Sequence, residues 1–534
     1  MQIKKPSRIL WISIALGLCF DLLFWKKPVG ISYFLFVFVL IAAGFVLAYL
    51  EGRKPAGLTW LMAGITLFFS AMIFIREEPF TTFINVLLSL IGLGLLALTF
   101  SSGLWIRYSL ADMVTGIARL VSGTLAGGSS LLATSRKMEV EDHKDVDAPK
   151  KPKAISFWAI FRGVLLAFPI VFFLALLLVS ADPVFSKELE RILDINKFME
   201  YAVRLAMVGI IGYLLSGVYL YSLEKSHRSD LIGMDKPWFP AFLGFTESAI
   251  VLGSVNILFA FFVVVQFKYF FGGQTNIVVD GFTYAEYARR GFGELIAVAI
   301  LSLILFLGLS AVTRRESPGK QKWFTGLGLV LVCLVAVILV SSFQRLSLLE
   351  AAYGFTRSRT YSHIFMVWLG ILLAAVIVLE IINYRRGFAM AALIVLVGFG
   401  ATLNFINIDG FIVRANVERA RAGEELDYMY FQELSTDSIP QALSEFRATN
   451  DPEVKTLLGV SMVCRSAEME GHLDKWEWTG FNISYNTAVN VLREAAPEFK
   501  EYQLIENTEG GWRANTVKTP FGEKDCYKSY QDMD

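Results

Sequence analysis

Long apolar stretches follow one another from Ile9 to Asn404, each closed by a short polar or charged segment, and the pattern stops near Asn407. A helix needs ~20 mostly apolar residues to cover ~30 Å of hydrocarbon. Eleven stretches qualify: residues 9–25, 29–50, 56–75, 80–100, 155–180, 201–223, 241–267, 292–312, 323–342, 361–382 and 388–404. Each is expected to be helical, because an open strand would leave backbone groups unpaired in lipid. The fold class that follows is all-α: a polytopic bundle of about 11 spans with a C-terminal, mostly helical soluble domain. Lys4, Lys5 and Arg8 precede the first span as in a signal peptide, but no small-x-small cleavage site follows. The first span therefore reads as a retained anchor.

Four domains are expected. Residues 1–132 form a four-span block that ends in a half-apolar segment. There Trp105, Tyr108, Met113, Ile117 and Leu120 recur at roughly helical spacing. An interfacial helix and a short packed helix both suit that spacing. Residues 133–154 are a charged, Pro-containing linker that cannot bury a core. Residues 155–406 form a seven-span block with two polar outer loops, and no internal repeat is visible in them. Residues 407–534 form the soluble domain, with helices expected at 412–434, 438–449, 452–465 and 485–495. Ser435 or Asp437 is available as a cap, and the tail after Glu501 reads as irregular or strand-like.

Charge refines this picture. The soluble domain carries 13 Lys and Arg against 23 Asp and Glu, a net charge of −10, although the whole chain sums to +1. An acidic domain of this kind argues against a nucleic-acid partner. With the N-terminus inside, the inner segments hold 22 Lys and Arg and the outer loops 12. The positive-inside rule then favours that orientation. Eleven spans would place the C-terminal domain outside a plasma membrane. Of the four cysteines, Cys19 and Cys333 lie in spans, while Cys464 and Cys526 are the two in the soluble domain. In an extracytoplasmic domain that pair could form a disulfide; two unrelated thiols is the alternative.

No motif for catalysis, metal or cofactor is visible, so none of the three is expected. Glycine-rich phosphate loops, paired-cysteine sites and zincin-type helices are missing. The four histidines are scattered. Charges and amides inside spans come next, being costly in lipid. Asp21, Arg162, Arg204, Glu247, Asn256 and Glu380 are the candidates, with Glu294 near a span start. For Arg204, Glu247 and Asn256 an ion path competes with structural hydrogen bonds between helices; for the others the structural reading is favoured.

The densest constellation is the pair of outer loops, residues 266–294 and 343–361. They mix Tyr284, Glu286, Tyr287, Arg289, Arg290 and Glu294 with Arg345, Arg357 and Arg359. Arginine forks suit phosphate and carboxylate. Five guanidiniums against Glu286, Glu294 and Glu350 leave positive charge over. That excess could attract an anionic lipid, a small anionic ligand, or the acidic domain starting near Asp409. Interfacial anchoring with internal ion pairs is the alternative.

These loops also carry a resemblance. The segments YFFGG, TYAEYARRGF, SSFQRL…AAYGFTRSRTY with MVWLG, and NFINIDGFIVRANVERA together resemble the family called domain of unknown function 4173, related to the 4153 group. LDYMYFQELSTDSIPQAL and WEWTGFNISYNTA extend the likeness, which covers about residues 155–495. Phe270 stands where the family's YLFGG has leucine. The resemblance implies a bacterial or archaeal plasma-membrane protein and no assigned activity. Three functions stay open: a non-enzymatic envelope sensor, scaffold or regulator, which the missing catalytic cluster favours; a transporter or channel; and a membrane enzyme acting on a lipid-linked anionic substrate. Beyond the bilayer, a protein partner for the acidic domain is expected.

Overall fold

The computed structural model describes residues 3–142, 167, 170–171, 173–174, 177–182, 195–226, 231, 241–271, 292–315, 317–384, 386–470, 477–507 and 514–526. Among these, ten helices are long and apolar enough to cross a membrane. The eleventh expected span, 155–180, lies mostly outside the described residues; positions 177–181 are helical.

The chain forms two compact units that cut across the blocks expected from sequence. One holds residues 1–27, 38–54 and 119–227, and the other holds 28–37, 55–118 and 228–534. In the first unit, α1 (Pro6–Phe24) packs along α6 (Ile195–Glu224). Glycines permit the approach: a Cβ on Gly17 would lie 2.6 Å from the Val208 carbonyl oxygen, and Gly212 faces Ser13. Small residues do the same work wherever two helices must meet closely in lipid. Arg204 closes the crossing, donating to Asp21 at 2.6–3.1 Å, and Trp25 Nε1 donates to Glu200 at 2.7 Å.

The second unit holds α3 (Gly57–Ile75), α4 (Pro79–Thr99), α7 (Phe245–Phe271), α8 (Phe292–Val312), α9 (Pro318–Tyr353), α10 (Arg357–Ile381) and α11 (Gly387–Ile406). Helix α2 (Ile31–Leu50) and helix α5 (Leu110–Asp142) each contribute residues to both units. Helix α5 exposes Leu110, Val114, Ile117, Val121 and Leu125 along one stripe, while Asp112 on another face holds Arg386 at 2.7 Å. It also carries helix on to Asp142, through the first part of the expected linker. SRKMEVED is built from adequate helix formers, and its charge alone was a poor guide.

Beyond α11 come α12 (Ile408–Arg421), α13 (Tyr428–Glu433), α14 (Ile439–Ala448), α15 (Pro452–Glu470) and α16 (Ile483–Ala495). An antiparallel sheet follows: β1 (Gln503–Asn507), β2 (Ala514–Thr519) and β3 (Gly522–Asp525), in that order. The helix expected over 412–434 breaks after Arg421, where Gly423 adopts φ +97, a conformation natural to glycine. Cys464 on α15 and Cys526 after β3 form a disulfide, their Cα atoms 5.6 Å apart. That bond fastens the sheet to the helices.

Only Asn407 separates α11 from α12, at φ +52. Packing ignores the expected boundary there. One core runs from Phe69, Ile84, Leu88 and Leu403 of the spans through Ile412, Leu443, Phe446, Leu458 and Leu492. A second core, around Leu252, Phe306, Phe324, Leu331, Met366 and Leu373, holds α7–α10 together.

Candidate functional site

Spans α3 and α4, α9 and α10, and the end of α11 all reach one face, where the C-terminal helices sit on them. The polar groups of this junction are nearly all paired. Asp409, fully buried in the first turn of α12, accepts from Arg357 Nε at 2.8 Å and Nη2 at 2.5 Å. Its Oδ2 also accepts the Ser435 amide and hydroxyl, each at 2.7 Å. Asp437 accepts the backbone N–H groups of Glu77 and Glu78 at 2.9 and 3.0 Å. The expected helix cap thus serves a loop 360 residues away. Arg76 donates twice to the Asn404 carbonyl, at 3.0 and 2.7 Å. Asn404 and Asn85 exchange amide hydrogen bonds at 3.0 and 2.7 Å.

Four carboxylates and two arginines therefore meet in this layer, and each has a defined task. Glu78 caps α4 by accepting from Phe80 and Thr81. Glu77 accepts from the Thr436 hydroxyl. Burial pushes the Glu77 carboxyl above its ordinary range, the Thr436 hydrogen bonds opposing this. Burial likewise raises Tyr430, whose neutral hydroxyl accepts the Arg357 N–H at 2.8 Å. Asn482 Nδ2 reaches the Ile73 and Arg76 carbonyls at 3.3 and 3.1 Å, and its Oδ1 caps α16. The Ile31 N–H donates to the Phe481 carbonyl at 3.0 Å.

The second expected outer loop is mostly helix. Residues 343–353 continue α9, and only Gly354, Phe355 and Thr356 lie between α9 and α10. Leu346 and Leu349 face inward at helical spacing and hold the extension on the bundle. Gly354, at φ +79, has no room for a Cβ beside Asn416 and Arg419. Asn416 brackets Phe355, accepting its N–H at 2.8 Å and donating to its carbonyl at 2.9 Å.

Among the described residues, the expected site residues do not gather into one cluster. Arg357 meets the acidic domain at Asp409. Arg359 turns to the Tyr353 and Gly354 carbonyls. Arg345 donates to Gln266 Oε1 at 2.8 Å, linking α9 to α7. Glu294 is exposed at the start of α8. Glu350 pairs with His363 at 3.0 Å. Tyr284, Glu286, Tyr287, Arg289 and Arg290 lie outside the described residues, as does Arg162. Inside the spans, Arg204 is taken by Asp21, Asn256 donates to the Leu327 carbonyl at 3.0 Å, and Glu247 accepts from the Gly244 N–H at the start of its own helix.

His363 has the outline of a base between Ser347 and Glu350: Nε2 lies 3.3 Å from Ser347 Oγ, and Nδ1 3.1 Å from Glu350 Oε1. The surroundings oppose that role. Nε2 is also 3.3 Å from the Phe343 carbonyl oxygen, so an acceptor faces each ring nitrogen. The Ser347 hydroxyl gives its own hydrogen to the Phe343 carbonyl, on the same side of the ring. His363 thus straps α10 to α9. Among the described residues, no three His, Cys, Asp or Glu gather as a metal site.

Sequence reasoning missed Arg76, Asn85, Glu78 and Asn404, and the roles of Ser435 and Asp437. The local signal was polar residues inside otherwise apolar runs, as in NFINIDGF. The partners of Arg76, Asn85, Asn404 and Asp437 lie 319 to 360 residues away in the chain, beyond any local pattern.

A family model, domain of unknown function (DUF4153), matches residues 63–444. The chain belongs to this family. The match supports the related 4153 group and not the 4173 family that the loop motifs resemble. No curated protein and no solved structure matches the chain. It is an integral membrane protein with many apolar helices.

Proposed function

We propose that this is a non-enzymatic envelope protein, a sensor or scaffold whose C-terminal domain lies outside a plasma membrane and is rigidly coupled to the spans. The observation that carries the reading is the Asp409–Arg357–Ser435 clamp with its neighbour Asp437. A mobile appended domain has no need of a buried, hydrogen-bonded carboxylate layer shared with four spans, whereas a domain that passes load to them does. The Cys464–Cys526 disulfide supports an oxidising compartment. The intramembrane charges support the same choice over transport, since Asp21 and Arg204 neutralise each other and Glu247 serves its own helix.

Photocrosslinkers placed at exposed Glu424 and Glu425 in intact cells test this reading. The expected result is an adduct with an extracytoplasmic protein, together with loss of a cytoplasm-only reporter signal when the reporter is fused after Asp534. Activity of that reporter, or adducts confined to cytoplasmic proteins, would sink the proposal.

A further inference from the structure

On the face opposite the junction, a cavity of about 590 Å³ opens between the end of α8, the start of α9 and the α10–α11 turn. Arg315, Ser317, Pro318, Gln321, Asn383, Tyr384 and Arg386 line it. Among the described residues that line it, two guanidiniums face the space. Arg315 forms its floor, with a side chain only 5% exposed. Its Nη2 donates to the Ser310 carbonyl at 3.1 Å and hydroxyl at 2.9 Å, and Nη1 donates to Gln321 at 3.3 Å. The guanidinium lies 3.7 Å over the Phe324 ring. Its acidic neighbour Glu380 stands off at 3.7 Å, long for a buried pair, and accepts from Thr325 at 2.9 Å.

The walls are built as firmly as the floor. Ser317 accepts from the Lys320 N–H and caps α9, so the positive end of a 36-residue helix points to this side. Asn383, at φ +56, ends α10 and turns the chain into Tyr384. The Tyr384 ring lies where a Cβ on Gly387 would be, which fixes its place at the mouth. Arg386 is held by Asp112 at 2.7 Å. Outside the mouth, Ile381, Ile382 and Tyr384 leave apolar surface exposed.

A polar, cationic recess with an apolar shoulder at the end of four spans matches one ligand chemistry. Arginine forks take the equatorial oxygens of phosphate, and basic pockets between spans hold lipid headgroups. We infer that the cavity floored by Arg315 binds a phosphate group, carried by an anionic phospholipid or free in solution. The site does not depend on the function proposed above.

The test uses full-length protein in phosphatidylcholine nanodiscs. Native mass spectrometry reads binding of short-chain phosphatidylglycerol, with inorganic phosphate as a second probe. Gln321→Glu puts a carboxylate into the cavity while leaving both arginines. Arg386→Gln removes one guanidinium, and Arg53→Glu is the control outside the cavity. The wild type is expected to retain phosphatidylglycerol, and each cavity variant to bind about tenfold more weakly. Retention that phosphate does not displace identifies the lipid as source. Displacement by phosphate, lost in Gln321→Glu, identifies a free phosphate ligand. Failure of the wild type to bind either probe, or equal binding by wild type, Gln321→Glu and Arg53→Glu, overturns the inference.

Discussion

Asp409 and Arg357 face each other edge to edge across the seam between α12 and α10, two hydrogen bonds joining a fully buried carboxylate to a guanidinium. The pair is placed by a motif residue on each side of the seam, so its removal has a definite consequence. Asp409→Asn leaves the part-buried Arg357 beside a neutral amide, with Glu78 3.9 Å away as its remaining carboxylate, and is expected to cost about 1–3 kcal/mol. Arg357→Lys is not expected to rescue function of the seam, because a lysine cannot make both bonds. Thermal unfolding of the purified variants checks both, and an unchanged midpoint for Asp409→Asn would show the pair to be passive.

Glu77 gives the junction a pH dependence. Its carboxyl is raised by burial, so its neutral form is the one the folded state favours. The stability it contributes is complete below the ordinary value of 4.5 and is lost as pH rises through the raised value. Glu77→Gln keeps an acceptor for Thr436 and should remove that loss. Unfolding midpoints of wild type and variant are expected to agree in acid and to separate, variant higher, toward neutral pH. A wild type that gains stability over the same rise contradicts this sign.

Gly17 sets the distance between α1 and α6. Gly17→Val drives a branched side chain into the Val208 carbonyl, with an expected cost of about 1–3 kcal/mol. The same shift would part Asp21 from Arg204. Crosslinking between cysteines introduced on the two helices measures it: yield should fall in Gly17→Val and persist in Gly17→Ala at a reduced level.

The disulfide holds the sheet to α15. Replacing Cys464 and Cys526 together by alanine is expected to cost about 2–4 kcal/mol. In the native protein, maleimide should label these two only after reduction. Labelling without reductant would place them as free thiols.

Hydropathy made the spans legible, because a helix in lipid must be apolar along its whole length. Polarity misled at segment 343–361, where Gln344, Arg345 and Glu350 suggest a loop while Leu346 and Leu349 keep a helical period. The C-terminal end of α9 obeys the second signal. Arg357 was legible as one of five arginines able to attract the acidic domain starting near Asp409, since these charges stand out beside apolar runs. Asn85, Arg76 and Asp437 were not, because each is explained only by a partner hundreds of residues away that the fold delivers. Cys464 and Cys526 could be paired by count, whereas the sheet they fasten left only a faint trace.

Helix α9 runs unbroken from Pro318 to Tyr353, about 54 Å at 1.5 Å per residue, while the hydrocarbon layer is only ~30 Å thick. Ser317, at the rim of the cationic recess, begins this rod, and Gly354, wedged against Asn416 and Arg419, ends it. A stiff helix neither stretches nor stores slack. A sliding motion of one turn at the recess would have to appear as the same travel under the C-terminal domain, in the manner of a piston through a cylinder wall.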